Sequence, residues 1–274
     1  MSIQLAQQFD VPARSAYYDR PREVGFDPCE IRFSAHRMTR QYPSWVDVPC
    51  PGELQLWRFR SGWLPVSIQE GEQWLSDAER ERARLNPNSA LRKRFVGARV
   101  VLRWIVANLF KTTPHEVQLI DGPTDQSSVQ LTADGHPVTI DIAYGGIWIV
   151  IAIASSGLGL GVTMPAPGGE NAIPKVKPTS IWPSASPDCH EDRFRYAEEA
   201  VQTARYISLS NALKRSSIEV SPQALCNNAV ASFVELPGAG RWHIVDVPMP
   251  GKIRAAVSVA QPVTRIQAFG WPKN

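Results

Sequence analysis

The sequence predicts an α+β fold of two similar lobes, each a long helix packed on a small antiparallel sheet. Three observations predict it. Apolar residues recur at helical spacing in two separate stretches, near residues 90–110 and 191–209. Each stretch is followed by segments of strand character, and a proline- and glycine-rich passage lies between the two halves.

The elements follow in order. Residues 1–50 mix prolines, charges and aromatics without period and read as an irregular N-terminal extension. "ELQLWRF" opens the first lobe, residues 51–164, as a strand. "LSDAERERARLN" begins with Ser76 and has Glu79 three residues on, a capping box, and Pro87 ends that helix. After Asn88 and Ser89 comes "ALRKRFVGARVVLRWIVANLF", in which Leu91, Phe95, Ala98, Leu102, Ile105 and Leu109 form the expected buried stripe. Strand-like text then runs from Glu116 to Val162. Residues 165–187 read as an inter-lobe loop, and residues 188–274 as the second lobe. Its helix, "EDRFRYAEEAVQTARYISL", carries Phe194, Ala197, Val201 and Ala204 on one face, and "AVASFVEL", "RWHIVDV" and "IRAAVSVA" follow as strands.

The stretch "TIDIAYGGIWIVIAIASSGLGLGVTM", residues 139–164, holds a single charged residue, Asp141. Its dense apolar run, Ile147 to Ala154, falls short of the roughly 20 residues a spanning helix needs. Its β-branched residues suit a buried strand. Gly157, Gly159 and Gly161 imitate a phosphate-binding loop, but that loop must open a helix, and the prolines that follow forbid one. The reading is strand, tight turn, strand.

Hydrophobic and charged contents of 43% and 20% are those of an ordinary globular chain, and a net charge of +3 does not demand nucleic acid. Four scattered cysteines (Cys29, Cys50, Cys189 and Cys226) make neither a disulfide scaffold nor a zinc spacing. With no basic start and apolar core of a secretory signal, a reducing cytoplasm is the expected compartment, with no membrane or nucleic-acid partner.

Charge is concentrated locally. Arg80, Arg82, Arg84, Arg92, Lys93, Arg94, Arg99 and Arg103 crowd two consecutive helices, and Arg92, Arg99 and Arg103 share a face by spacing. Guanidinium groups match phosphate bidentately, so a phosphorylated ligand is one reading. A solvated face with Glu79 and Glu81 as local partners is the other.

The order and spacing of "LSDAERERARL", "RKRFVGARVVLRWIVANLF", "TPHEVQL", "GHP", "IDIAYGGIWIVIAIA", "LGVTM", "FRYAEEAVQTA" and "PGKIRAAVSVA" resemble the Sfp-type 4′-phosphopantetheinyl transferases, over about residues 53–260. The resemblance implies two lobes holding coenzyme A and magnesium between them, with a carrier protein as acceptor. It places Arg94 and Arg82 at basic positions toward the coenzyme A phosphates. His136, in Gly135-His136-Pro137, stands where the family has lysine; it reads as a phosphate donor or as a turn residue.

The reactive positions depart from that pattern. Tyr144 stands where the family has histidine, and Thr163 and Pro165 replace two acidic residues. In the family's Trp-x-x-Lys-Glu-Ala-x-x-Lys helix, Glu199-Ala200 match while Arg195, Glu198 and Thr203 replace tryptophan and both lysines. Magnesium is normally held through one or two carboxylates plus substrate phosphates, and only Glu199 remains of that set. The expectation is a pseudoenzyme or repurposed member of carrier-protein metabolism. It would bind a coenzyme A-like ligand, a carrier protein or another protein, with no dedicated metal residues and with magnesium bound weakly or not at all. Two alternatives stay open. One is an active transferase with a rearranged metal site. The other is a new enzyme on carrier-bound or coenzyme A thioesters, with Glu199, Tyr144 and Asp141 as acid–base candidates.

Overall fold

The computed structural model describes residues 31–119, 129–133, 136–164, 189–213, 220, 225 and 231–271; for 129–133, 136–137 and 189–197 it describes the backbone alone. Among these residues the chain runs β1 (Arg32–His36), β2 (Glu53–Arg60), α1 (Ile68–Trp74), α2 (Asp77–Leu85), α3 (Ser89–Leu109), β3 (Val129–Ala133), β4 (His136–Gly145), β5 (Trp148–Ala154), β6 (Leu158–Thr163), α4 (Cys189–Leu213), β7 (Ala231–Leu236), β8 (Gly240–Val247), β9 (Arg254–Val259) and β10 (Arg265–Phe269). The fold is mixed α+β, with two sheets and four helices among the described residues.

Side-chain alternation on the strands explains the layering. On β2, Trp57 and Phe59 pack with Ile140, Ile142, Ile149, Ile151 and the apolar residues of α3. The opposite face of the same strand sends Leu54 and Leu56 against Leu160, Val245, Val257 and Val259 of the other sheet. On that second sheet the outward residues Val234, Ile244 and Ala256 meet Ala204 and Leu209 of α4. The order is therefore α3, first sheet, second sheet, α4, and both sheets bury two faces, which is why β5 is apolar throughout.

The first sheet has the order β1-β10-β2-β5-β4-β3 and the second β6-β9-β8-β7. This corrects three sequence expectations. Residues 32–36 belong to the extension by sequence, yet form β1, paired in parallel with β10. The first sheet is mixed rather than antiparallel, because β10 crosses from the far end of the chain to run parallel to both β1 and β2. And β6, expected in the first lobe, pairs with β9 in the second sheet. The loop expected over 165–187 lies outside the described residues.

Capping fixes the helix starts. Ser76 and Glu79 make the expected reciprocal capping box of α2. The Asn88 side chain accepts from the Ala90 and Leu91 N–H groups at the head of α3. The short α1 was not foreseen, although Ser67 caps it by accepting from Glu70 N. Its Gly71 lies so close to Val100 that a Cβ there would approach Val100 Cγ1 to 2.8 Å. Among the described residues no helix is long and apolar enough to cross a membrane. The apolar stretch 139–164 is most of β4 with β5 and β6, as its composition predicted.

Candidate functional site

The β4–β5 turn, residues 145–148, is where the structure joins two of the predicted site residues. Alternation on β4 turns Ile140, Ile142 and Tyr144 toward α3. From the first turns of α3, Arg94 lays its guanidinium 4.8 Å over the Tyr144 ring and donates to the Gly146 carbonyl at 3.1 Å. A cation over a ring face, half-buried and with one carbonyl acceptor, keeps several of its five N–H donors for another partner. Arg82, on α2, stacks 5.2 Å from the Phe95 ring, beside Arg94 in sequence. The His136 side chain lies outside the described residues.

Glu199 stands in another layer. The glycines of β6 explain the fit of α4: a Cβ at Gly161 would collide with the Ala204 carbonyl, and one at Gly159 with the Ser208 carbonyl and Ala212 N–H. Gly159 and Gly161 thus let a helix backbone lie directly on a strand, which is the role of a motif that imitates a phosphate loop. Two strand residues advance about as far as four helix residues. Carrying that step on sets Thr163 beside the helical turn of Glu199 and Ala200. Glu199 is exposed and Ala200 buried. Tyr144 with Arg94 therefore faces α3, while Thr163 with Glu199 faces α4, and no contact joins the proposed acid–base pair. The buried face of α4 runs through Ala200, Ala204 and Ser208, with Val201 only half-buried, because the glycines demand small residues there. Met164 is 52% exposed, and a Cβ at Gly146 would lie 3.5 Å from its Sδ.

The basic helix face is largely internal. Arg99 and Arg103 are buried, and both engage Glu79, Arg99 Nε at 2.7 Å from Oε1 and Arg103 Nη2 at 2.7 Å from Oε2. Arg103 also donates to the Pro114 and Val117 carbonyls. Burial alone would raise the Glu79 carboxyl; the Ser76 N–H and the two arginines outweigh it and hold the group below the usual carboxylate range. The capping-box glutamate is thus also the counter-ion of two buried cations. Leu91 and Phe95, at the start of the expected stripe, are exposed and half-buried, and the fully buried part of α3 begins at Gly97.

Asp141 is a buried tie. Its Oδ2 accepts from Leu160 N at 2.7 Å and its Oδ1 from Ile142 N at 2.9 Å. Leu160 lies on β6, whose free edge faces β4, and its carbonyl accepts from Asn211 of α4. The carboxyl so satisfies an edge-strand N–H that water cannot reach. Burial raises it to about 7, against the lowering pull of the two N–H groups.

A further site was not read from the sequence. β10 ends at Phe269 opposite Trp57, whereas β2 continues through Arg58, Phe59 and Arg60. The space beyond the shorter strand is a pocket of about 430 Å³ lined by Arg37, Arg58, Arg60, Trp63, Trp148 and Trp271, among others. Gly270, at φ +92°, turns the chain against the Arg58 backbone, where any Cβ would collide with the Arg58 carbonyl. Trp271 then folds back and donates from Nε1 to the Pro248 carbonyl at 2.6 Å. The Arg58 guanidinium lies 4.3 Å from the Trp271 ring and 5.1 Å from Trp148. The signal was the text "WRFR", which puts two arginines on the face that Leu54 and Leu56 commit to the core.

The magnesium that the resemblance implies does not fit these residues. The Thr163 position, which the resemblance gives to an acidic residue, carries a neutral hydroxyl, and the β4–β5 turn already holds the cation of Arg94. Among the described residues no group of three His, Cys, Asp or Glu side chains could hold a metal ion. No family model matches the chain, and no curated protein matches it.

Proposed function

We propose that this chain is a phosphopantetheinyl transferase-like protein of carrier-protein metabolism, and that it binds a coenzyme A-like ligand or a carrier protein without the magnesium-dependent transfer. The observation that carries the reading is Arg94, held over Tyr144 at the turn where the resemblance puts a pyrophosphate contact. A guanidinium fixed there supplies positive charge for a diphosphate, and bidentate donors for its oxygens. Transfer needs more than binding. It rests on neutralising charge that develops at the transferring group, and one arginine beside a phenol offers no equivalent of a metal clamp. Thr163 in place of a carboxylate, on the opposite outer layer from Tyr144, supports the same conclusion. Arg82 and His136 would assist binding as further donors, and the protein would work in the cytoplasm.

Intact-mass measurement tests the transfer. The purified chain, coenzyme A, magnesium and an apo carrier protein should leave the carrier mass unchanged. Addition of the phosphopantetheine mass at an enzymatic rate would overturn the reading in favour of an active transferase. Loss or exchange of an acyl group from a preloaded carrier would overturn it in favour of a thioester enzyme.

A further inference from the structure

We infer that the pocket around Arg58 binds a small aromatic anion, a planar ring carrying a phosphate or a carboxylate. The inference does not depend on the proposed function, since neither Arg94 nor Tyr144 is among the residues that line this pocket. Arg58 follows Leu54 and Leu56 along a row that packs against the second sheet, and it is only 7% exposed. Among the described residues no carboxylate pairs with it. Its Nη2 donates to the Gly270 carbonyl at 2.8 Å, its Nη1 makes a long contact of 3.4 Å to the Pro248 carbonyl, and its Nε has no partner.

A buried charge without a counter-ion is costly, and two carbonyls and two indole faces compensate it in part. An anion entering the pocket supplies the missing charge beside a guanidinium that is itself largely withdrawn from water, which strengthens the Coulomb attraction. Arg37 and Arg60, both exposed, add two cations at the rim, and among the described residues no acidic side chain lines the pocket. Trp63 and Trp148 offer apolar walls against which a planar ring stacks. The volume suits a small molecule. The Arg58 guanidinium already packs against two indoles, which leaves its in-plane N–H groups as the part an oxyanion can meet.

Calorimetry and tryptophan fluorescence on the full chain test this with three probes: phenyl phosphate, benzoate and inorganic phosphate. Phenyl phosphate or benzoate should saturate one site with Kd below about 1 mM. Whichever binds identifies the anion. Inorganic phosphate should bind at least about tenfold more weakly, lacking the ring. Arg58→Met should weaken the aromatic probe by about tenfold or more. The double variant Arg37→Ala/Arg60→Ala, confined to exposed rim side chains, should weaken it about threefold even if Arg58→Met fails to fold. Arg94→Ala should leave it unchanged. The inference fails if neither aromatic probe saturates, if inorganic phosphate binds equally well, or if the rim variant binds as the parent does.

Discussion

Three helix arginines, Arg99, Arg103 and Arg205, and Arg58 of β2 are all buried, and they live in opposite electrostatic company. Arg99 and Arg103 of α3 converge on Glu79, and Arg205 of α4 makes a two-point contact with Asp246, Nε to Oδ1 at 2.8 Å and Nη2 to Oδ2 at 2.6 Å. Arg58 of β2 has carbonyls and indoles but, among the described residues, no carboxylate. The first group is finished inside the protein. The second is not, and burial lowers the pKa of its guanidinium from the ordinary arginine value. A cluster of basic residues in a sequence therefore says little about ligands until its internal partners are known. The informative cation is the one the fold leaves uncompensated.

The largest way to break this comparison is to remove the shared counter-ion. Glu79→Gln leaves two buried guanidinium groups facing a neutral amide and should destabilise the fold by about 3–5 kcal/mol, read by urea denaturation. A loss no larger than that of an exposed pair would show that the cluster is solvated after all.

Asp141 is the acidic counterpart of Arg58, a buried ionisable group with no cation beside it among the described residues. Its folded-state pKa, about 7, lies above the ordinary aspartate value of 3.8. Between these values the native state holds more protons than the unfolded chain, so stability falls as pH rises from about 4 to about 7 and the loss is complete above that. Asp141→Asn should flatten this part of the stability–pH curve, at a constant cost for the disturbed Leu160 contact. An unchanged slope in the variant would assign the dependence to other groups.

Arg58→Met should have the smallest effect on stability, a change within about 2 kcal/mol, because it removes a burial penalty together with two carbonyl contacts. A loss as large as that of Glu79→Gln would mean that Arg58 is as fully compensated as the helix arginines, and the contrast would disappear.

What the sequence makes legible follows from how local each signal is. The α2 capping box, the span of α3 and strands β2, β5, β8 and β9 rest on patterns within ten to twenty residues, and those patterns match the elements observed. β1 and β10 are five-residue strands whose pairing joins residues more than 200 positions apart, as in Arg32 with Arg265, and no local period announces such a partner. The seven-residue α1 was overlooked although "SIQE" is a readable cap. At the site, Arg94 and Tyr144 were named separately and meet. Glu199 and Tyr144 were named together and do not, because Tyr144 turns toward α3 while Glu199 stands on α4, on the other side of both sheets. Arg99 and Arg103 looked like a ligand face because their partner, Glu79, already had an evident job as a cap. The Arg58 pocket depends on where β10 stops and on the turn at Gly270, neither of which can be read from β2.

The most direct test of the account is calorimetric titration of the full chain with coenzyme A, with and without magnesium, beside Arg94→Ala. The account predicts an affinity that magnesium does not change and that falls about tenfold when the Arg94 guanidinium is removed. An affinity that depends on magnesium, or one that Arg94→Ala leaves intact, would contradict it.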